Sequence, residues 1–451
     1  MYKILGRGFE VTVRDNNFCL QNKHDIRIWE PITYYEAIVL SLLDGKHNDD
    51  EITAFIETLI DKVPLFIGMY EKTLQKFHRY IILSDKGCGE QEGLASLVNK
   101  FDLSKITQYK SRLLRRMMPI HVMWLVTNKC TRRCVYCYLS GKLNMENEQD
   151  CLTFEEVEQL AIQCEEACVE QVTLSGGDPL MRKDIYEICN LFTSRGMSVG
   201  IITKMRLNED KIHYLDPVLV NIQFSLDSHI AQAADKLAGF EGHLSDMYYN
   251  FSLCNLKGIS FNIAVTVNKA NKDTLCETID KFMEVCPKSI IMNKYNTEFQ
   301  KINHDLLISD EDYNTFAKQA EIYFKSQGYG NNVVINKRKP ISMNNSCDSG
   351  RSKIVFDYCG RVVICEKSIT EPFLGSLRRQ TLIDIWYSKN YVEACVNPPK
   401  EYFQGTICKE CDEFDSCTSK TACIVRSYLR TGNYYQPLEE ITNQCSHSLS
   451  I

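Results

Sequence analysis

The pattern of hydrophobic and polar positions changes twice along the chain, and each section predicts a different kind of structure. In residues 118–330, short apolar runs alternate with longer segments in which apolar residues recur every three or four positions. Such runs are typical of buried strands, and such segments are typical of amphipathic helices. The alternation predicts an α/β fold with a helix-covered parallel sheet, either open or closed into a partial barrel.

The predicted strands of this middle section are residues 122–127, 171–174, 198–203, 220–226, 260–267 and 289–292. The predicted helices between them include residues 153–168, 184–194 and 273–285. Thr153, with Glu156 three residues later, predicts a capping box at the start of the first of these helices. In an open sheet or a barrel, functional groups are expected at the carboxyl ends of the strands.

The two flanking sections follow other patterns. Residues 9–13 and 17–20 alternate around the turn Arg14-Asp15-Asn16 and predict a hairpin. Helices at 33–43, 50–59 and 66–77 and a strand at 79–83 are predicted next, with Gly45 at the end of the first helix. Residues 345–451 have little periodicity and many cysteines, so metal rather than a large core is expected to stabilise them.

The composition adds one unusual feature, because 21 of the 451 residues are cysteines. No apolar signal sequence opens the chain and no apolar stretch of membrane-spanning length occurs, so a cytoplasmic protein without membrane contact is expected. Disulfides are rare in that compartment, and clustered cysteines there indicate metal or redox chemistry. The net charge of −6 gives no basic footprint for nucleic acid. Ten isolated cysteines are predicted to be small buried side chains: Cys19, Cys88, Cys151, Cys164, Cys168, Cys189, Cys254, Cys276, Cys286 and Cys395.

Cys130, Cys134 and Cys137 follow the first strand of the middle section with the spacing C-x₃-C-x₂-C. A loop at this spacing lets three thiolates point inward, and three ligands on a four-iron cluster leave one iron open to chelate a substrate. Structural zinc is the alternative, but it requires four ligands, and no fourth Cys or His lies nearby in the sequence.

This motif and its place after the first strand resemble the radical S-adenosylmethionine (SAM) family, as does Ser175-Gly176-Gly177-Asp178-Pro179 after the second strand. The second motif is similar to the family's Gly-Gly-Glu, with Asp in place of Glu. The resemblance implies a partial (β/α)6 TIM barrel and a SAM-binding 4Fe-4S cluster on the three cysteines. It also implies SAM contacts from Tyr136, Gly176, Gly177, Asp178, Thr203, Lys204, Ser225 and Asp227.

Five of these contacts carry particular expectations. The two glycines let the backbone approach the ligand closely. Asp178 accepts a hydrogen bond from the SAM ammonium, and Tyr136 lies beside the adenine. Lys204-Met205 replaces the family's usual Asn-Gly, so Lys204 either pairs with the SAM carboxylate or is a surface lysine.

The C-terminal cysteines resemble the SPASM domain of radical SAM maturases, although five residues rather than three separate Cys417 from Cys423. The resemblance implies two auxiliary 4Fe-4S clusters, which makes three clusters in all. One would be held by Cys408, Cys411, Cys417 and Cys445, and the other by Cys347, Cys365 and Cys423. Cys359 either completes the second cluster or leaves it with an open iron. A zinc-ribbon-like module is the alternative.

The N-terminal hairpin and helices resemble the PqqD-like elements that bind a leader peptide along a strand edge. A winged helix for DNA and a purely structural cap have the same outline. Together the resemblances imply a winged-helix-like peptide-recognition domain at 1–105, a radical SAM barrel at 118–330 and a SPASM domain at 345–451.

The function implied is that of a maturase acting on a ribosomally made precursor peptide that it binds through the leader. SAM would be cleaved reductively to a 5′-deoxyadenosyl radical, with electrons from an external donor of the flavodoxin or ferredoxin type. The radical would take a substrate hydrogen, leading to an intramolecular thioether, carbon–carbon or carbon–oxygen crosslink. Peptide epimerisation, sulfatase-maturating-type oxidation and an iron–sulfur redox sensor that binds DNA are the alternatives.

Overall fold

The structure is a computed structural model in two units, Met1–Met118 and Pro119–Ile451. It describes residues 2–6, 8–14, 17–23, 29–32, 34–60, 69–87, 118–141, 143–144, 150–295, 303–336, 348–368, 372–395, 398–412, 414 and 423–437. Cys88, Cys347, Cys417 and Cys445 therefore lie outside the described residues. The division into domains 1–105, 118–330 and 345–451 stays a prediction.

The first unit combines two small antiparallel sheets with three helices. Its strands are β1 Tyr2–Leu5, β2 Phe9–Arg14, β3 Asn17–Asn22, β4 Trp29–Pro31, β5 Asp44–Asn48 and β6 Ile81–Ser84. Its helices are α1 Tyr34–Ser41, α2 Asp49–Ile60 and α3 Met69–Phe77. The predicted hairpin is β2–β3, and β4 extends its sheet, while β1 lies between β5 and β6 in the other. All three helices were expected at these places.

The predicted end of the first helix is wrong. Helix α1 ends at Ser41, and Gly45 lies in β5 with a φ of 73°. The Asp44 carboxylate accepts hydrogen bonds from the amides of Lys46 and His47, so a side-chain turn starts here instead of a helix cap. The predicted strand at 79–83 also begins later, at Ile81, because a 3-10 turn covers His78–Tyr80.

The second unit is built on one long sheet. Its strands are β7 His121–Thr127, β8 Gln171–Gly176, β9 Ser198–Thr203, β10 Val220–Ser225, β11 Ser260–Val267, β12 Ser289–Lys294, β13 Val333–Asn336, β14 Lys353–Phe356 and β15 Val362–Val363. Its helices are α4 Phe154–Glu166, α5 Ile185–Thr193, α6 Ala231–Ala238, α7 His243–Lys257, α8 Leu275–Met283, α9 Asp310–Ser326, α10 Leu382–Tyr387, α11 Lys389–Cys395 and α12 Ile424–Thr431.

The sheet order is β13-β12-β11-β10-β9-β8-β7-β14-β15, and every pairing except β14–β15 is parallel. Six of these strands, β7–β12, are the predicted ones, and the predicted α/β class is confirmed. Helix α4 explains how the layers form, because Val157, Leu160, Ala161 and Cys164 repeat at helical spacing and are all buried. Its capping box of Thr153 and Glu156 is present as expected.

The structure adds elements that the apolar pattern did not predict. Strand β14 pairs with β7, so the cysteine-rich C-terminal section extends the sheet of the barrel instead of standing apart. Of the isolated cysteines predicted to be buried, Cys19, Cys164, Cys168, Cys189, Cys254 and Cys395 are buried and Cys151 and Cys276 are half-buried. The prediction is wrong for Cys286, which is exposed.

Candidate functional site

A cavity of about 180 Å³ lies at the carboxyl ends of β8, β9 and β10, beside the loop that follows β7. Parallel strands bring their following loops to one edge, which is why residues far apart in the chain meet here. Predicted site residues that line the cavity are Cys130, Cys134, Tyr136, Cys137, Gly176, Gly177, Asp178, Thr203, Lys204 and Ser225. Asp227 is not in the lining, but its carboxylate accepts a hydrogen bond from Tyr136.

The loop that carries the three cysteines is anchored by Arg132, which the sequence analysis did not single out. Its side chain is 3% exposed, and its Nη2 donates to Asp246 Oδ2 at 2.7 Å. Its Nε donates to the Lys204 carbonyl at 3.1 Å, and its guanidinium lies 3.5 Å from the centre of the Phe240 ring. One side chain therefore joins the cysteine loop to α7 and to the end of β9.

The backbone of the same loop docks against the end of α6. The amides of Arg133 and Val135 donate to the carbonyls of Ala238 and Leu237 at 3.0 and 3.1 Å. Gly239 ends this helix at a φ of 59°, and a Cβ there would lie 2.3 Å from the Arg133 carbonyl oxygen. Only glycine permits this approach, so α6 and the loop are fixed relative to each other.

Gly176 and Gly177 let two protein segments approach each other closely. A Cβ on Gly176 would lie 2.3 Å from the Thr127 carbonyl oxygen, and one on Gly177 would lie 2.2 Å from that of Lys129. The amide of Gly177 donates to the Thr127 carbonyl at 2.7 Å. Both glycines also line the cavity, so the end of β8 is pressed against the segment that leads into Cys130.

Asp178 is 3% exposed and is surrounded by protein donors. The Thr203 hydroxyl lies 2.8 and 2.9 Å from its two oxygens, and the amides of Lys204 and Leu180 donate to it at 2.9 and 3.1 Å. Burial raises the pKa of this carboxyl, and those donors oppose the increase. The side chain therefore joins the end of β8 to the end of β9.

Lys204 is a half-buried member of the site. Its ammonium donates to the Tyr136 hydroxyl at 2.8 Å and to the Ser225 carbonyl at 3.1 Å, and it lies 3.6 Å from Asp227 Oδ2. Asp227 also accepts from the Thr266 amide at 2.6 Å, and it is 2% exposed. We call these three side chains the Lys204–Tyr136–Asp227 network. Lys204 is 13% exposed, so of the two expectations the surface lysine is wrong.

Replacing Lys204 with methionine is expected to destabilise the protein. The change leaves the Asp227 carboxylate buried without its cation, and breaking a buried pair in this way costs about 3 kcal/mol or more. The melting temperature of the anaerobically prepared variant, compared with that of wild type, measures the loss. Adding Asp227→Asn to the same chain should restore part of the stability. A melting temperature equal to that of wild type in Lys204→Met would contradict this account of the network.

His243 is expected to make stability depend on pH. The side chain is 1% exposed, with Nε2 at 3.2 Å from the Ser225 carbonyl, and burial beside Lys204 and Arg132 lowers its pKa to about 3. The unfolded chain binds this proton below about pH 6.5 and the folded chain does not, so folding stability falls as pH decreases from there.

Between pH 6.5 and pH 5 this single group is expected to remove about 2 kcal/mol. The test compares melting temperatures at pH 7 and pH 5 for wild type and His243→Gln. The variant, which has no imidazole to protonate, should show the smaller difference between the two pH values. Equal differences in both proteins would mean that His243 does not contribute.

The donor set of the cavity fits an iron–sulfur cluster with a bound SAM. Three thiols face one space, soft sulfur ligands suit such clusters, and Lys204 and the glycine backbone border the same space. Across the described ranges, no three Cys, His, Asp or Glu side chains lie close enough to hold a single metal ion.

The structure describes only some of the cysteines that were predicted to hold the auxiliary clusters. Cys365, Cys408, Cys411 and Cys423 are half-buried, and Cys359 is buried. Phe356 pairs with Val362 and Val355 with Val363, so Cys359 lies in the turn of this hairpin. Cys365 lies beyond the other end of the hairpin, where its backbone forms an isolated antiparallel β-bridge with that of Ser368.

Within the residues that the structure describes, no helix is long and apolar enough to cross a membrane.

Two family models match the chain. The model of the Radical SAM superfamily matches residues 124–282, and the SPASM model, an iron–sulfur cluster-binding domain, matches residues 347–412. Both resemblances are thereby confirmed, and with them the expectation of SAM, a SAM-binding 4Fe-4S cluster and auxiliary iron–sulfur clusters.

Among characterised relatives, "Fe-coproporphyrin III synthase" of Methanosarcina barkeri (strain Fusaro / DSM 804) is 29% identical over 187 residues, 41% of this chain and 46% of the relative. The chain thus spans about half the length of this relative. "PqqA peptide cyclase" of Rhizobium meliloti (strain 1021) is 23% identical over 325 residues, 68% of this chain and 84% of the relative.

Among solved structures, Streptococcus suis SuiB bound to precursor peptide SuiA superposes with a TM-score of 0.61 at 15% identity. The match covers 97% of this chain and 99% of that one. At this identity the likeness shows a shared fold.

Proposed function

We propose that this chain, which belongs to the radical SAM superfamily and carries a SPASM domain, is an enzyme that modifies a ribosomally made precursor peptide. The modification we propose is an intramolecular crosslink, as a thioether or as a carbon–carbon or carbon–oxygen bond. One observation carries the proposal: three cysteine thiols, two glycines, Tyr136 and Lys204 line one cavity at the carboxyl edge of a parallel sheet, and Asp227 accepts a hydrogen bond from Tyr136 behind this wall.

In this proposal, Cys130, Cys134 and Cys137 hold the cluster, and the cavity beside them holds SAM. When bound, SAM and the reduced cluster supply hydrogen-atom abstraction from the substrate. The protein's own contribution is to hold these groups in place and to exclude water. The Lys204–Tyr136–Asp227 network keeps the Tyr136 ring at the cavity wall, and Ser225 lines the same wall. Gly176 and Gly177 fix the position of the loop that starts at Cys130 relative to the end of β8.

Asp178 and Thr203 have a more structural role in this proposal than the family motif implies. The carboxylate of Asp178 already accepts from one hydroxyl and two amides. Asp is one methylene shorter than the Glu of the family motif, and this side chain reaches the neighbouring strand. We assign to Asp178 and Thr203 the alignment of β8 with β9, which places Lys204 at the cavity.

For the auxiliary clusters, we propose Cys408, Cys411, Cys417 and Cys445 as one ligand set and Cys347, Cys365 and Cys423 as the other. Cys359 and Cys365 lie at opposite ends of the β14–β15 hairpin, which supports leaving Cys359 out of the second set. The second cluster would then keep an open iron. An open iron can bind a substrate thiolate, which suits a thioether product.

The choice of a peptide as substrate rests on the relatives. The name PqqA peptide cyclase refers to a peptide, and the solved structure of SuiB contains the precursor peptide SuiA. That SuiB structure matches nearly the whole of this chain. We further propose that residues 1–105 bind the leader of the peptide. An external flavodoxin or ferredoxin would supply the electrons, and the cytoplasm would be the compartment in which the enzyme acts.

The test uses synthetic peptides encoded by short reading frames beside the gene. The reduced protein and SAM should convert one of them to a product lighter by two hydrogen atoms, with a new bond visible in the fragmentation spectrum. Deleting the leader of that peptide should prevent the reaction. The relative named Fe-coproporphyrin III synthase makes formation of that iron porphyrin the second candidate activity. Formation of Fe-coproporphyrin III from an iron tetrapyrrole precursor, with every peptide unchanged, would refute the proposal.

A further inference from the structure

Strands β10, β11, β12 and β13 have two faces of opposite character, because side chains alternate along a strand. On the face toward the helices, Ile222, Ile263 and Ile290 are buried. The other face consists of the odd-numbered residues of β10 and β12 and the even-numbered residues of β11 and β13, and none of these residues is buried. We call this face the inner wall.

No residue of the inner wall is charged, whereas 24% of the whole chain is. The one charged residue of the four strands, Lys294, lies on the helix face and pairs with Asp310 of α9. Lys204 and Asp227 border the wall at β10, and they pair with each other. A charged group held against the inner wall would lose water and gain no counter-charge from it, which costs free energy. The wall therefore suits uncharged groups.

The inner wall continues from the cavity of the proposed SAM site. Ser225 lines that cavity and lies beside Ala264 on β11. Ala264 lies beside Ile291 on β12, and Ile291 lies beside Val334 on β13. At about 4.8 Å between neighbouring strands, this row spans about 14 Å. Val334 is 45% exposed, so the far end of the row is an apolar surface that a ligand can reach.

A pair of asparagine amides lies on the next row toward the carboxyl ends of the strands. Asn293 and Asn336 are opposite each other and exposed, and Asn336 Nδ2 donates to Asn293 Oδ1 at 2.8 Å. Within the part of the chain that the structure describes, neither side chain makes another hydrogen bond, so Asn293 Nδ2 is left as a donor and Asn336 Oδ1 as an acceptor. A donor beside an acceptor matches the N–H and C=O groups of a peptide main chain.

The amide pair is also close to the Lys204–Tyr136–Asp227 network. Thr266 on β11 lies beside Asn293, and the Thr266 amide donates to Asp227 at 2.6 Å. A peptide bound by the two amides is therefore held within about two strand spacings of the network.

We propose that the inner wall binds an uncharged segment of the precursor peptide. The amides of Asn293 and Asn336 hold the main chain of this segment, and the row from Ser225 to Val334 contacts its side chains beside the modified residue. The inference rests on the proposed function, which requires a peptide within reach of the cavity. The wall sets specificity, because a lysine or glutamate in the bound segment would have no counter-charge there.

The test uses the peptide that the wild type modifies, with each residue within about three positions of the modified one replaced in turn by lysine or glutamate. At positions that contact the inner wall, both analogues should lose on the order of tenfold in kcat/KM. Asn293→Asp adds a carboxylate to the wall and keeps an acceptor for Asn336 Nδ2. At those positions it should raise the kcat/KM of the lysine analogue relative to the glutamate analogue by about tenfold.

Val334→Lys should shift the same ratio about tenfold in the opposite direction, because it adds a cation to the same wall. Opposite shifts distinguish a charge effect from damage to the site, since damage would slow both analogues alike. Asn255→Asp and Val218→Lys are the matched controls. Asn255 lies near the end of α7 and Val218 just before β10, both are exposed, and neither belongs to the inner wall. Neither control should change the ratio.

The same ratio in Asn293→Asp and Val334→Lys at every position would overturn the inference. So would controls that shift the ratio as much as these two variants do, or a wild type that accepts charged and uncharged analogues equally at every position. A wild type that cleaves SAM with dithionite but modifies no peptide would instead refute the proposed function.

Discussion

Replacing Cys134 with alanine is expected to abolish formation of 5′-deoxyadenosine from SAM. Cys134 lies with Cys130 and Cys137 in one cavity lining, and three thiolates are the fewest that leave a single iron of the cubane open for SAM. Loss of one thiolate removes a ligand that nothing in the lining replaces. The rate with dithionite as reductant should fall below detection, at least about a thousandfold, as for loss of a group required for the chemistry itself.

Cys276→Ala is the matched control for this experiment. Cys276 is a half-buried cysteine on α8 that does not line the cavity, and its replacement should leave the rate unchanged. Iron analysis of both variants completes the comparison. Cys134→Ala should hold about four irons fewer than wild type, whereas Cys276→Ala should hold as many as wild type. Formation of 5′-deoxyadenosine by Cys134→Ala at the rate of the control would remove the three-cysteine site from the mechanism.

Gly177→Ala is expected to be nearly as harmful, although it adds one methyl group. The new Cβ would lie 2.2 Å from the Lys129 carbonyl oxygen and 2.8 Å from the Asn128 carbonyl carbon, and both are backbone atoms. The segment leading into Cys130 must move to make room. A displacement of about 1 Å at a reacting site costs on the order of a hundredfold in rate, so SAM cleavage should fall by about that factor.

Gly141→Ala supplies the comparison, because a Cβ at Gly141 meets nothing within 4 Å. The two variants should differ by the full effect in SAM cleavage and in the iron bound at the site. If Gly177→Ala retained the rate of Gly141→Ala, the close approach of β8 to the cysteine loop would have no functional role.

Short-range patterns were sufficient to predict the barrel strands. Ser198–Thr203 and Ser260–Val267 begin and end where their apolar runs predict, because a strand buried among others needs little more than such a run. The capping box at Thr153 was predictable for the same reason, since both partners lie within one turn. The cysteine loop and the Gly-Gly motif were found through their spacing and their place after successive strands.

Contacts between distant segments were not predictable in this way. Nothing local to Lys204 indicates that Tyr136 and Asp227 surround its ammonium, since the three residues come from three different loops. The glycines were expected to approach a ligand, whereas their Cβ positions show that they also approach the Thr127 and Lys129 carbonyls. The pairing of β14 with β7 joins residues more than 200 positions apart. No pattern of apolar residues along the chain indicates such a pairing.

The central claim is tested most directly by anaerobic iron and sulfide analysis of the reconstituted wild type, with 5′-deoxyadenosine measured after addition of SAM and dithionite. We predict about twelve irons per chain, falling to about eight with loss of the product when Cys130, Cys134 and Cys137 are all replaced by alanine. A wild type that holds zinc in place of iron and leaves SAM uncleaved would contradict the account.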